Sequence, residues 1–249
     1  MNSFRSHRAS RRRLIVAVIW LMTTCGFVWG QAARAEESTP SAAADQGAAK
    51  DQSGRDQPSP PCGPPAQIEG FRQARFGMSE EQVRQAIRKD FSGAAARLTV
   101  AIHPSEKTTV LSLSVTDLLP HTGNARMSYI LGYRSKKLAQ INIVWTSDGT
   151  DAGDETVVGI ANSLRDYFAT ENFKPDTVVV NHQLPAGAIL AFRGSDAQNR
   201  TVLLILSGVA ASARPEEKKA LKMPPLSLEL SYIEDAAHPD IFKIGKGQF

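Results

Sequence analysis

The side chains best suited to chemistry form one carboxylate cluster around Gly149 and Gly153: Asp148, Asp151, Asp154 and Glu155. Hard oxygen ligands in a loop that contains glycine can hold calcium. The spacing is not that of an EF-hand, whose alternate ligand positions would fall on Thr150 and Ala152. Carboxylates also suit the start of a helix, because they cap it and interact favourably with its dipole. We favour helix capping and keep the four residues as candidate metal ligands.

Histidines are the second group with chemical potential, and no two of those that follow residue 35 are close enough in sequence to form a ligand pair: His103, His121, His182 and His238. His103 and His182 each end the first predicted strand of one half of the chain, so the fold could bring them together in a metal or acid–base site. Strand-end histidines more commonly hydrogen-bond to nearby backbone. We favour that interpretation.

Catalytic signatures are absent from the sequence: it has no nucleophile elbow, phosphate loop, dinucleotide fingerprint or zinc-protease helix. We therefore expect no catalytic residue and no cofactor. A basic run lies between the last two predicted strands, and we interpret it as a solvated loop rather than a docking site for anionic lipid or glycan, because Glu216 and Glu217 offset its charge. Its members are Arg214, Lys218, Lys219 and Lys222.

Residues 1–35 have the organisation of a secretory signal peptide, with an arginine-rich start, an apolar run over 14–30 and an Ala33-Arg34-Ala35 ending. We predict cleavage after Ala35. An uncleaved inner-membrane anchor through residues 14–30 is an alternative, since such a run is near the lower length limit for crossing a bilayer. Residues 10–15 also resemble a twin-arginine export signal, and acylation at Cys25 would require a better lipobox than Met22-Thr23-Thr24.

Removal of the leader changes the charge of the protein. Six of the 29 basic residues and none of the 25 acidic residues lie in residues 1–35, which leaves 23 basic against 25 acidic residues, a net charge of −2. A nucleic-acid partner is therefore not expected. The remaining cysteine, Cys62, has no partner for an internal disulfide and lies among prolines, so we interpret it as an incidental linker thiol, with an intermolecular disulfide or redox-sensitive thiol as the alternative.

Residues 36–67 contain no aromatic residue and no Val, Ile, Leu or Met. Such a segment cannot bury enough apolar surface to offset its ordering entropy, so we predict a disordered linker. The remainder is expected to form two α+β units, over 68–147 and 148–249. If the leader is retained, the linker would tether these units to the membrane.

The first unit is predicted to contain one helix and four strands. Ser79 and Gln82 form a capping box, Val83 and Ile87 recur on one face, and Gly93 suits the end of the helix, which gives a helix over about 80–91. Alternating patterns predict strands over 98–103, 108–118, 125–133 and 138–145.

The second unit is predicted to repeat this order without repeating the sequence. Asp151 or Asp154 caps a helix that ends near 172–175, and strands are expected over 177–182, 188–193, 201–207 and 226–232. Hairpin-linked strands with helices on one face predict an α+β fold with antiparallel sheet. Five aromatic residues in predicted strands are expected in the core, or on a peptide- or sugar-binding face if one is exposed: Tyr129, Tyr133, Trp145, Phe192 and Tyr232.

Residues 76–83, Phe-Gly-Met-Ser-Glu-Glu-Gln-Val, resemble the helix-start motif of the small outer-membrane-assembly lipoproteins of the SmpA/OmlA type. That fold class includes the tandem-repeat β-lactamase inhibitor proteins. The resemblance implies a helix-plus-antiparallel-sheet module that binds other proteins and has no catalytic residues. The chain departs from the lipoprotein pattern in its poor lipobox, long linker and second half.

These observations together predict an exported, non-enzymatic binding or assembly module of the bacterial cell envelope, located in the periplasm, with an envelope protein as partner. Membrane contact is expected only if the leader is retained. The alternatives are a periplasmic hydrolase with an unrecognised site and a small-ligand- or glycan-binding protein.

Overall fold

The computed structural model describes residues 63–209, 224–245 and 247. The predicted leader, most of the predicted linker, Cys62 and the basic run Arg214 to Lys222 lie outside these residues. Within the described ranges no helix is both long and apolar enough to cross a membrane.

The described chain contains three α-helices and ten strands. The helices are α1 (Glu80–Asp90), α2 (Ser92–Ala95) and α3 (Asp151–Thr170). The strands are β1 (Gly70–Phe71), β2 (Ala74–Arg75), β3 (Thr99–Ile102), β4 (Thr109–Thr116), β5 (Asn124–Leu131), β6 (Leu138–Thr146), β7 (Val179–Leu184), β8 (Ala188–Ser195), β9 (Thr201–Ser207) and β10 (Ser227–Ile233). Short 3-10 turns at Pro175–Thr177 and Pro185–Gly187 flank β7.

Eight of these strands form one antiparallel sheet in the order β3-β4-β5-β6-β10-β9-β8-β7. Strands β3 to β6 come from the first half of the sequence and β7 to β10 from the second. The last strand of each half pairs with the other at the centre, where Ile143 lies opposite Leu230. The predicted α+β class with antiparallel sheet is therefore confirmed, and the strands of both halves share one continuous sheet.

Helix α1 begins as its sequence predicts. The Gln82 backbone N–H donates to the Ser79 hydroxyl, and the Gln82 side-chain oxygen accepts from the Ser79 backbone N–H at 2.9 Å. Val83 and Ile87 are fully buried. The end of α1 differs from expectation, because α2 follows Phe91 directly and contains Gly93. The last helical hydrogen bond of α1 runs from the Phe91 N–H to the Ile87 carbonyl. The φ of Phe91, −142°, leaves the helical region, so the helix ends without a glycine in the left-handed region.

Helix α3 is capped by Thr150 rather than by Asp151 or Asp154. The Thr150 hydroxyl accepts from the Gly153 backbone N–H at 3.0 Å, while Asp151 and Asp154 lie in the first turn. A hydroxyl one residue before the helix has the right position to reach that N–H group, and the two carboxylates then act through the helix dipole.

All three helices contribute to a core on one face of the sheet. Residues Leu111, Tyr129, Ile143 and Leu204 point into it and are fully buried, and they pack with Ile160, Phe168 and other helix residues. Phe168 of α3 stacks on Phe192 with ring centroids 5.6 Å apart. Trp145, Tyr129 and Phe192 are at most 2 % exposed, which confirms the core prediction for these rings, whereas Tyr133 and Tyr232 are half-buried.

The chain enters this core earlier than the predicted linker end at residue 67. The Ala66 backbone N–H donates to the Asn172 carbonyl at 2.8 Å, and the Asn172 side chain donates to the Gly63 carbonyl. Ile68 is clamped on both sides, since its N–H donates to Asp196 Oδ2 at 3.0 Å and its carbonyl accepts from the Arg200 guanidinium at 3.1 Å. Composition reports only how much apolar surface a segment can bury. Here backbone hydrogen bonds and the small buried side chain of Ala66 fix the end of the predicted linker without a large apolar residue.

Candidate functional site

The second face of the sheet is not covered by any helix that the structure describes. Burial alternates along β4, β5 and β6, and the buried helix residues pack in the core on the other face. In β10 the alternation is broken at Ser231, which is buried although it lies on the second face. We call this second surface the open face. Its central residues are Val110, Ser112, Ser114, Arg126, Ser128, Ile130, Gln140, Asn142, Val144, Leu203, Ile205, Glu229, Ser231 and Ile233.

A polar network crosses the middle of the open face. Asn142 Nδ2 donates to Glu229 Oε1 at 2.8 Å across the β6–β10 junction, and Gln140 Nε2 donates to Asn142 Oδ1 at 2.8 Å. The Ser231 hydroxyl also donates to Glu229 Oε1, at 3.3 Å. Because β6 and β10 are the strands through which the two halves meet, this network lies where the halves join.

Glu229 is the charged centre of this network. Its neighbours on the two adjacent strands are Val144 and Ile205, both apolar. Burial among them raises the pKa of Glu229, an effect that the hydrogen bond from Ser231 opposes. Both donors bind Oε1, so Oε2 has no hydrogen-bond donor from the described chain. A partly desolvated carboxylate oxygen of this kind is a strong acceptor for an incoming N–H or O–H group.

The open face has the size and composition of a protein interface. Seven strand spacings of about 4.8 Å and strands of about seven residues give the whole sheet face an area of about 800 Å², which is comparable to one partner's share of a standard interface. Residues 238–241 lie over one end of this face, at Ile130, Gln140 and Ile233. Three charged residues, Arg126, Arg193 and Glu229, lie on it among apolar and small polar side chains, and none of its described residues is lysine. Depletion of charge, and of lysine in particular, is typical of interface centres.

The hypothesis of a joint His103–His182 site is wrong. His103 directly follows β3 and His182 lies in β7, which are the two edge strands of the sheet. Seven strand spacings place them on the order of 30 Å apart. His103 instead makes the local contact that we favoured, since its Nδ1 accepts from the Glu106 backbone N–H at 3.1 Å.

The carboxylate cluster organises the start of α3. Asp148 Oδ1 accepts from the Thr150 backbone N–H at 3.0 Å and from its hydroxyl at 2.6 Å, and these bonds lower the pKa of Asp148. Asp151, Asp154 and Glu155 lie on the helix itself. In the part of the chain that is described, no three His, Cys, Asp or Glu side chains are arranged to hold a metal ion.

Sequence reasoning missed Glu229 and its network. The signal was present as polar residues at alternate positions of two predicted strands, Asn142 in β6 and Glu229 and Ser231 in β10. Pairing of β6 with β10 spans more than eighty residues of sequence, so no local pattern shows that these side chains meet.

Comparison with other proteins adds no relative to this description. No protein-family model, no curated protein and no solved structure matches the chain. The candidate site is therefore defined by its own geometry: a broad, charge-poor sheet face with one partly desolvated carboxylate at its centre.

Proposed function

We propose that the chain is an exported, non-enzymatic binding or assembly module of the bacterial cell envelope, and that the open face docks another protein. The observation that carries this proposal is Glu229 Oε2, which has no donor from the described chain and lies within a sheet face of about 800 Å². The periplasm is the proposed compartment, on the strength of residues 1–35. Retention of residues 14–30 as an inner-membrane anchor is the alternative.

The partner should present hydrogen-bond donors within an otherwise apolar contact surface. Val144 and Ile205 flank Glu229, so a matching surface would place an N–H or hydroxyl on Oε2 and apolar side chains on its two neighbours. Burying such a charge-assisted hydrogen bond adds specificity, because a partner without the donor would leave the carboxylate unpaired.

We also propose that residues 68–147 and 148–249 are two units of one repeated pattern. The mirrored strand order supports this, since each half supplies four successive strands of the large sheet after its longest helix, and the halves join through their last strands. The first half also contains α2 and the small β1–β2 pair, which the second half lacks among the described residues. The same arrangement is compatible with the resemblance of residues 76–83 to the SmpA/OmlA-type modules, and that resemblance favours protein binding.

Site-specific photo-crosslinking tests the docking surface. A photoreactive residue at Ser114, exposed on the open face, should give one discrete adduct in intact cells. The matched control replaces Val158, which is 39 % exposed on the outer side of α3, and should give none. An Ile205→Arg change in the Ser114 variant should abolish the adduct, because it places an extra charge beside Glu229.

Two outcomes would contradict the proposal. One is an adduct that forms equally from Ser114 and Val158, and the other is an adduct that survives Ile205→Arg in a protein shown to be folded by circular dichroism.

The hydrolase alternative has less support from the geometry. A lone carboxylate needs a second reactive group within hydrogen-bond reach, and the histidine in the same row of the sheet as Glu229 is His182, three strands and about 14 Å away.

A further inference from the structure

A small cavity lies where the open face meets the C-terminal segment, residues 234–243. Its volume is about 80 Å³. Ile130, Gln140 and Ile233 form one row across β5, β6 and β10 and line its floor. Residues 234–235 and 238–241 of the segment line its other side. This space is enough for a small ligand or several water molecules.

The C-terminal segment is held firmly over this floor. The Tyr133 backbone N–H donates to the Asp240 carbonyl at 2.8 Å, and the Asp240 carboxylate accepts from the backbone N–H groups of Arg134 and Ser135. The Phe242 backbone N–H donates to the Glu106 carbonyl, and the Phe242 ring packs edge-on against Tyr133. The cavity is therefore a built feature with walls fixed by tertiary hydrogen bonds.

The lining is mainly apolar but includes several hydrogen-bond acceptors. Four acidic residues are among those that line it: Glu106, Glu234, Asp235 and Asp240. Thr108 also lines it and is 1 % exposed, and its hydroxyl has no hydrogen-bond partner among the residues that the structure describes. A buried hydroxyl without a partner is costly, and such groups usually indicate a water or ligand.

Basic groups face three of the four acidic residues. The Arg134 charge acts on Asp240. His238 Nδ1 lies 3.4 Å from Asp235 Oδ2, and His103 Nδ1 lies 3.8 Å from Glu106 Oε2.

Glu234 is compensated less directly. The field of Arg200 reaches Glu234, but the Arg200 guanidinium already binds the Ile68 carbonyl at 3.1 Å. Partial burial and the nearby charges of Asp235 and Asp240 raise the pKa of Glu234 despite Arg200. The Asp240 and Asp235 carboxylates already accept backbone N–H groups. What the site offers a ligand is therefore the half-exposed Glu234 carboxylate and the Thr108 hydroxyl, which has no partner in the described chain.

We propose that this cavity binds an organic cation, a primary alkylammonium or a guanidinium group. Such a group supplies several N–H donors at once, and it would neutralise Glu234 while donating to the Thr108 hydroxyl. An organic cation binds acceptors that are spread around it. It does not require three ligands that converge on one point, as a metal ion does. The cation would come from a small free amine or from a lysine or arginine side chain of a protein docked on the adjoining open face.

Titration by NMR tests the site on the protein as cells export it. Addition of n-butylammonium should shift the backbone amide signals of Thr108 and Gln140 saturably, whereas neutral n-butanol should not. Glu234→Gln should weaken the binding at least tenfold, and Glu171→Gln, an equal charge change at an exposed residue after α3, should leave it unchanged. Thr108→Val keeps the side-chain shape and should weaken binding at least threefold.

The source of the cation is decided by a second titration. The second titration compares n-butylammonium with a peptide that contains lysine or arginine. Saturable binding of n-butylammonium indicates a free amine as the ligand, whereas binding of the peptide but not of n-butylammonium indicates a side chain of a partner protein. Failure of both ligands to bind, equal shifts with n-butanol, or equal affinity in Glu234→Gln would overturn the proposal. Because these titrations need no partner protein, their outcome is independent of the photo-crosslinking result at Ser114.

Discussion

Replacement of Asp196 by alanine should strongly destabilise the fold. The Asp196 carboxylate is 1 % exposed and accepts three backbone N–H groups: Ile68 on Oδ2 at 3.0 Å, and Gln198 and Arg200 on Oδ1, each at 2.9 Å. It therefore ties the β8–β9 turn to the segment by which the chain enters the core.

The expected cost is about 3 kcal/mol. Hydrogen bonds to a charged group contribute roughly 1.5–3 kcal/mol each, and an unsatisfied buried donor costs about 1–3 kcal/mol. Water can replace the carboxylate at Gln198 and Arg200, which are accessible, but not at the Ile68 N–H, because Ile68 is 4 % exposed. Two effects dominate the estimate: the Ile68 N–H loses its hydrogen bond, and removal of the Asp196 carboxylate leaves a cavity in its place. A loss of about 3 kcal/mol corresponds to a fall in Tm of about 6–12 °C.

Urea denaturation of the wild type, Asp196→Ala and the exposed-site control Asp176→Ala measures this effect. The control should stay within about 0.5 kcal/mol of the wild type. Hydrogen exchange at the Ile68 amide should also accelerate in Asp196→Ala. A loss below about 0.5 kcal/mol, comparable with that in the control, would refute the view that this buried carboxylate holds the entry segment.

Three further outcomes follow from the structure. Thr150→Ala should cost about 1 kcal/mol in urea denaturation, against about 0.3 kcal/mol for Asp151→Ala, and equal losses would argue against Thr150 as the cap of α3. Burial raises the pKa of Glu229 in the folded protein above its ordinary value of 4.5. Between pH 4.5 and the raised pKa the folded protein therefore binds more protons than the unfolded chain, so the free energy of unfolding should fall as the pH rises through this window. Urea denaturation across pH should show a shallower fall in Glu229→Gln, and unchanged slopes would contradict this. Amino-terminal sequencing of the secreted product should begin at Glu36, whereas recovery of Met1 from the membrane fraction would indicate an anchor.

Local interactions made part of this protein predictable from its sequence. The capping box of Ser79 and Gln82 is satisfied within four residues, so its pattern alone predicted where α1 begins. Alternation of apolar residues likewise predicted the strands, and β9 has the bounds that its sequence indicates. The α+β class followed from these local elements.

Long-range pairing decided the rest. Which side of each strand faces the helices depends on register, and a shift of one residue would move Glu229 from the open face into the core. The separation of His103 from His182 depends on strand order, since the halves join through β6 and β10 and leave β3 and β7 at opposite edges. Asp196 and Thr108 acquired their surroundings from distant segments, through Ile68 and the C-terminal segment. The sequence by itself therefore determined the elements, and tertiary structure alone decided which polar side chains meet, because those contacts join residues too far apart in the chain to leave a local pattern.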